Sequence, residues 1–180
     1  MAVLSKQQMD AAQEFANATI SALKTGEEVH AATVVAATAR MAGTYLFRSF
    51  GLRLAGVKPG QVVLSEKANE QGTVLFQIAF GILSRIGIKV AGAPSGKAAE
   101  PRHKLQLEFL ETQTRLEPFY APIKTRFGLS LPEAGQASAV ATALLIRHCA
   151  KVLDPDVAFG IAAYGFVEGS KTAPEPVEEA

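Results

Sequence analysis

A chain of 180 residues that is 48% hydrophobic and 19% charged is long enough to bury a substantial core and too apolar for general disorder. Its formal net charge of +1, from 18 Lys and Arg against 17 Asp and Glu, excludes a broad electrostatic footprint for nucleic acid, which needs clustered cations not offset by nearby acids. The mean hydropathy of +0.16 raises the question of a membrane, but the longest charge-free windows, Gln71 to Ser84 and Ala134 to Ile146, fall short of the roughly 20 apolar residues a spanning helix requires. The opening "MAVLSKQQMD" lacks the apolar core and cleavage site of a secretory signal. With a single cysteine, Cys149, no intrachain disulfide can form, and a cytoplasmic location is expected.

The chain punctuates itself into helices. Ser5 and Gln8 make a capping box ahead of a segment in which Met9, Ala12, Phe15, Ala16, Ile20 and Leu23 recur at helical spacing, and Gly26 is placed to end it. Thr25 and Glu28 form a second box, so the next helix is expected almost at once, as the antiparallel partner of the first. Pro59 and Gly60 stand as the centre of a type II turn, and residues 52–64 read as an irregular loop, with a short hairpin as the alternative. Ser65 caps the most apolar helix of the chain, which stops at Gly87 with Ile88 supplying the hydrophobic contact of such a stop. Residues 89–101, small and containing Gly and Pro, read as a surface connection between two helical halves.

From Arg102 an amphipathic helix is expected with Leu105, Phe109, Leu116, Phe119 and Ile123 inward, kinked or restarted at Pro118 and Pro122, which lack the donor a helix interior needs. The strongest start signal is Ser130, Pro132 and Glu133, opening a helix to about Leu153. Asp154 and Pro155 then open a last helix through Phe159, Ile161, Tyr164 and Phe166. Beyond Gly169, residues 170–180 form an acidic, proline-containing stretch that reads as a disordered tail. The fold class is therefore all-α: a single-domain helical bundle of about five or six helices over residues 1–169.

One helix poses a question. The run from His30 to Gly51 is nearly all small or apolar, yet it carries Arg40 and Arg48. An advance of about 100° per residue puts His30, Thr33, Arg40, Thr44 and Arg48 within an arc of about 80°, with Ala32, Ala36, Ala39 and Gly43 roughly opposite. So narrow a polar seam marks the central helix of a bundle, and the small-residue strip lets another backbone come close. The plainest reading makes the seam a strip facing solvent, each arginine stem laid along the surface. A sharper one pairs Arg40 and Arg48 with Glu66 and Glu70, Asn69 satisfying what remains, because those three share a helix face and a lone buried arginine costs several kcal/mol. His30, Arg40, Thr44, Arg48, Glu66, Asn69 and Glu70 are thus the candidate ligand-binding residues or buried polar network.

Other chemistry is sparser. The three histidines, His30, His103 and His148, lie far apart, and none has a second His or Cys at metal-ligand spacing on its own helix, so neither metal nor cofactor is expected. Cys149 beside His148 points about 100° away from it on a helix, poor geometry for a nucleophile pair, and reads as a buried structural thiol. The glycines of "FGIAAYGF" follow no strand and suggest close helix packing.

On these grounds the favoured expectation is a non-enzymatic helical domain that self-associates or binds a protein partner. The small-residue strips at Ala36 and Gly43, and at Gly160 and Gly165, would serve contact between chains. The alternative is a pocket for a small apolar, lipid-like or anionic ligand, walled by "TVLFQIAFGIL" and anchored by Arg40 and Arg48. An enzyme using Glu66 and Glu70 ranks last, since no base and nucleophile pairing is visible.

Overall fold

The computed structural model describes residues 4–26, 28–91 and 103–176. It is an all-α bundle of six helices: α1 (Lys6–Leu23), α2 (Ala31–Ser49), α3 (Glu66–Arg85), α4 (Phe109–Arg126), α5 (Leu131–Cys149) and α6 (Pro155–Lys171). The backbone uses most of the expected start signals. Ser5 accepts from the Gln8 N–H while the Gln8 side chain accepts in return, and Ser130 and Glu133 do the same for α5. Ser65 accepts from the Ala68 N–H, and the Asp154 carboxylate takes the first N–H groups of α6, from Asp156 and Val157. After α3, Gly87 adopts φ +78° and the Ile88 N–H reaches the Leu83 carbonyl at 2.9 Å. Residues 52–64 form an irregular loop; its Gln61 N–H meets the Lys58 carbonyl at 3.1 Å, and Gly60 at φ +83° supplies the left-handed residue of the turn.

Four boundaries differ from expectation. Thr25 and Glu28 exchange backbone hydrogen bonds of 2.9 and 3.2 Å instead of boxing a helix, so α2 begins later, behind His30, whose side chain caps nothing. α4 starts at Phe109, well after Arg102, and runs unbroken through Pro118 and Pro122. Both prolines are exposed, as is Thr114, so the carbonyls left without an N–H partner belong to residues that water reaches. α5 stops at Cys149, where the Val152 and Leu153 N–H groups both turn back to the Cys149 carbonyl.

The fourth difference is the C-terminal segment. α6 continues to Lys171, and Ser170, Thr172 and Ala173 are buried. Ala173 exchanges backbone hydrogen bonds of 2.8 Å with Gly60 and Gln61. The stretch expected to be a free tail from residue 170 is thus tied to the 52–64 loop; residues 177–180, and most of the expected connection 89–101, lie outside the described residues.

α2 is the central helix, as its narrow seam predicts: every residue from Ala32 to Phe47 is buried. Its small-residue strip receives α6. A Cβ at Gly43 would stand 2.6 Å from the Phe166 carbonyl oxygen, and one at Gly169 would collide with the carbonyl of Arg40. Gly165 faces Ala36 to Arg40 and Gly169 faces Arg40 to Thr44, so α2 and α6 run parallel with their backbones in contact. Ala36, Gly43 and Gly165, expected to join separate chains, are therefore in contact inside this one. α5 packs on another side of α2, with Gly135 against Ala42 and Leu46, and α1, α3 and α4 complete the layer around them. Among the described residues no single helix is long and apolar enough to cross a membrane.

Candidate functional site

The polar seam of α2 faces neither open solvent nor α3. It is covered by the segment leading into α4 and by α4 itself. Thr33 Oγ1 accepts the Gln106 N–H at 3.0 Å. Arg40 donates from Nε to Glu168 at 2.6 Å and from an Nη atom to the Leu107 carbonyl at 2.7 Å and Thr112 Oγ1 at 3.2 Å. Arg48 grips both carboxylate oxygens of Glu117, at 2.8 and 2.9 Å, and donates to the Glu175 carbonyl at 3.1 Å. Thr44 Oγ1 has no hydrogen-bond partner among the described residues.

The proposed partners Glu66, Asn69 and Glu70 are exposed on the first two turns of α3 and hold neither arginine. The physical reason is the burial pattern of α3, which turns Ala68, Leu75, Ile78, Ala79, Ile82 and Leu83 inward and leaves the acidic face to water. Glu117 and Glu168 take their place. The arginines pin an irregular segment and α4 to the central helix, and with their charges met by these carboxylates they are poorly placed to anchor a ligand.

Beneath the seam lies a second polar layer. Phe15, Tyr45 and Tyr120 stack between α1, α2 and α4, the Phe15 and Tyr120 centroids 4.4 Å apart. The Tyr120 hydroxyl meets Thr19 Oγ1 at 2.8 Å, and Thr38 meets the same oxygen at 3.1 Å. Burial pushes the Tyr120 phenol up to about 12. Burial, with the charge of Glu117 second, pushes Tyr45 higher still above the ordinary tyrosine value.

A cavity lies elsewhere, at the end of the bundle where α2 begins and α5 ends. A cleft of about 740 Å³ is lined by Glu28, Val29, His30, Ala31 and Ala32 from the entry to α2, by His103, by His148 and Cys149 from the end of α5, and by residues 151–153. All three histidines of the chain line it. They are not arranged as ligands: among the described residues no group of three or more His, Cys, Asp or Glu side chains is placed to hold a metal ion. His30 Nδ1 lies 2.7 Å from Thr33 Oγ1, so the head of the seam and the cleft share a residue. His103 also lines a smaller pocket of about 180 Å³ with Arg40, Glu168 and Tyr164. Cys149 is 3% exposed, and burial pushes its thiol up, away from the thiolate a nucleophile needs.

Of the predicted site residues, His30 lines the cleft, Arg40 and Arg48 are paired, Thr44 is buried beside them, and the α3 trio stands apart. His103 and His148 were missed as site residues because their separation hides their meeting. The available signal was position: His30 precedes an apolar helix and His148 ends another, and antiparallel helices bring starts to ends. Comparison with protein-family models, with curated proteins and with solved structures returns no match.

Proposed function

We propose that this chain is a cytoplasmic protein that binds a small molecule in the histidine-lined cleft without transforming it. The observation that carries the reading is the convergence of His30, His103 and His148, from three separate parts of the chain, on one cleft of about 740 Å³. Ligand sites combine such a concavity with a few convergent polar groups, and here the imidazoles supply both donors and acceptors. Binding is favoured over catalysis because the one thiol in the cleft is buried with its pKa raised, and over the Arg40 and Arg48 anchor because Glu168 and Glu117 hold those arginines. With Cys149 as its one cysteine, and that thiol buried, the fold draws no stability from an intrachain disulfide, which suits a reducing compartment.

The test is a thermal-shift screen of soluble metabolites on the wild-type chain and on Ala31→Trp, which places an indole in the cleft from a partly exposed position in the first turn of α2. A ligand is expected to raise Tm by several degrees in the wild type and little in the variant. Equal shifts in both proteins, or none in the wild type, would reject the reading.

A second reading, self-association, draws on exposed apolar side chains along one face. Tyr164 and Val167 of α6 are 60% and 53% exposed, and Val62 and Leu64, on the segment bonded to Lys171 and Thr172, are 70% and 81% exposed. Sedimentation showing a dimer that Val167→Lys dissociates supports it; a wild-type monomer at high micromolar concentration removes it.

A further inference from the structure

We propose that the pocket of about 180 Å³ where α2, α6 and the segment before α4 meet is a further binding site, one that takes the edge of a neutral amide. The amide would be a primary carboxamide or a ring lactam on a small flat body. The proposal stands on Arg40 and Glu168 and needs none of the histidines, so it goes beyond the reading of the cleft and does not depend on it. Helical spacing builds the two sides: Ala36 and Arg40 are one turn apart on α2, and Ile161, Tyr164 and Glu168 share a face of α6. Leu105 adds a further wall.

The arginine opens on this pocket with its fork half used. A guanidinium points Nε–H and one Nη N–H the same way, a pair that commonly takes both oxygens of a carboxylate. Here Glu168 Oε2 meets Nε alone, at 2.6 Å, while Nη1 is spent on the Leu107 carbonyl and Thr112 Oγ1. Nη2 has no hydrogen-bond partner among the described residues and, unlike Thr44 Oγ1 or Gln113 Nε2, is not sealed from solvent. The side chain that carries it is 6% exposed, so an unpartnered donor on a nearly buried cation is turned towards the pocket. Beside it, Glu168 Oε1 has no partner among the described residues either, on a side chain 39% exposed.

A donor and an acceptor thus stand side by side, and an amide edge presents their complement: its C=O accepts from Nη2 while its N–H donates to Oε1. The charges decide against other ligands. Because Arg40 and Glu168 cancel, an anion loses to the carboxylate what it gains from the guanidinium, and a cation does the reverse. The apolar Ala36, Leu105 and Ile161 suit a ring, and the volume lies below the roughly 300 Å³ at which drug-sized sites begin, so the fitting body is a single small one.

Ligand-observed NMR titration of the full chain at about pH 7, where a carboxylic acid is ionised, tests this with three probes on one ring. Benzamide offers the whole edge, acetophenone the carbonyl without the N–H, and benzoate two acceptors with a charge. Benzamide is expected to bind, and each of the others to bind about tenfold more weakly, since each leaves a polar group of the site unmatched. Glu168→Gln removes the cancelling charge and is expected to reverse the order, benzoate then binding about fivefold more tightly than benzamide. Leu105→Trp, at a half-buried position, fills the pocket and is expected to abolish benzamide binding with helical circular dichroism unchanged.

Equal affinities for the three probes in the wild type would overturn the proposal, as would no benzamide binding up to its solubility limit. Benzamide binding undiminished in Leu105→Trp would place it elsewhere and overturn the proposal too. A folded Glu168→Gln that still prefers benzamide does the same; if that variant does not fold, the wild-type ranking and Leu105→Trp decide.

Discussion

Arg40 and Glu168 form one ion pair, but removing either partner leaves a different remainder. The arginine side chain is 6% exposed and the glutamate 39%. Glu168→Ala would leave a buried guanidinium with only the neutral acceptors of Leu107 and Thr112, at a cost of about 3 kcal/mol. Arg40→Met would leave a carboxylate that water can reach, costing about 2 kcal/mol, chiefly in lost hydrogen bonds. Urea denaturation should rank Glu168→Ala as the more damaging; the reverse order would mean that Arg40 contributes mainly through the packing of its stem.

The tyrosines carry the pH dependence. A folded pKa raised above the unfolded value of 10.0, to about 12 for Tyr120, means the native state holds its proton longer than the unfolded chain does. Stability is therefore full below about pH 10 and falls as pH rises through the folded value; Tyr45 acts in the same direction. Tyrosinate absorbance from these two residues should appear together with the loss of helical circular dichroism in alkali, and ionisation of both before unfolding would refute their burial. The seam itself was legible in the spacing of α2, because spacing reports angle. Its partners were not, since Glu117 lies 69 residues from Arg48 and Glu168 lies 128 from Arg40, and no local pattern encodes such distances.

Among the elements, the pairing of α2 with α6 is the one that admits least change. A Cβ at Gly169 would strike the Arg40 carbonyl and crowd Gly43, whereas one at Gly72 in α3 would meet only Ser170 Oγ, at 3.7 Å. Gly169→Ala is expected to cost about 3 kcal/mol or more through forced separation of the helices. Gly72→Ala is expected to be neutral or to stabilise by up to about 1 kcal/mol through helix propensity. Chemical denaturation of the two variants checks both, and a tolerated Gly169→Ala would contradict the backbone contact.

Capping residues made four helices readable: Ser5, Ser65, Ser130 and Asp154 satisfy first-turn N–H groups that nothing else reaches, and Gln8 and Glu133 reciprocate in two of them. The rule failed at Thr25 and Glu28, where a backbone turn met the same need. It also left α4 misread, because an exposed proline costs a helix less than a buried one.

At the scale of the whole molecule, helix order decides what becomes a site. The antiparallel run of α2 and α5 brings His30 to His148, and the segment before α4 adds His103. Ala36, Gly43 and Gly165, which looked available for partners, instead lie where α2 and α6 pack together. Composition could show an apolar excess but not whether it would be satisfied within the chain, since that depends on which helices become neighbours. The proposed ligand site is the cleft where those elements meet. Its most direct test is NMR of the chain labelled at histidine, which has three residues to observe, during titration with the tightest ligand from the metabolite screen. The account predicts that all three imidazole signals move together and saturate at one dissociation constant. Saturable binding that leaves two or more of them unmoved would contradict it.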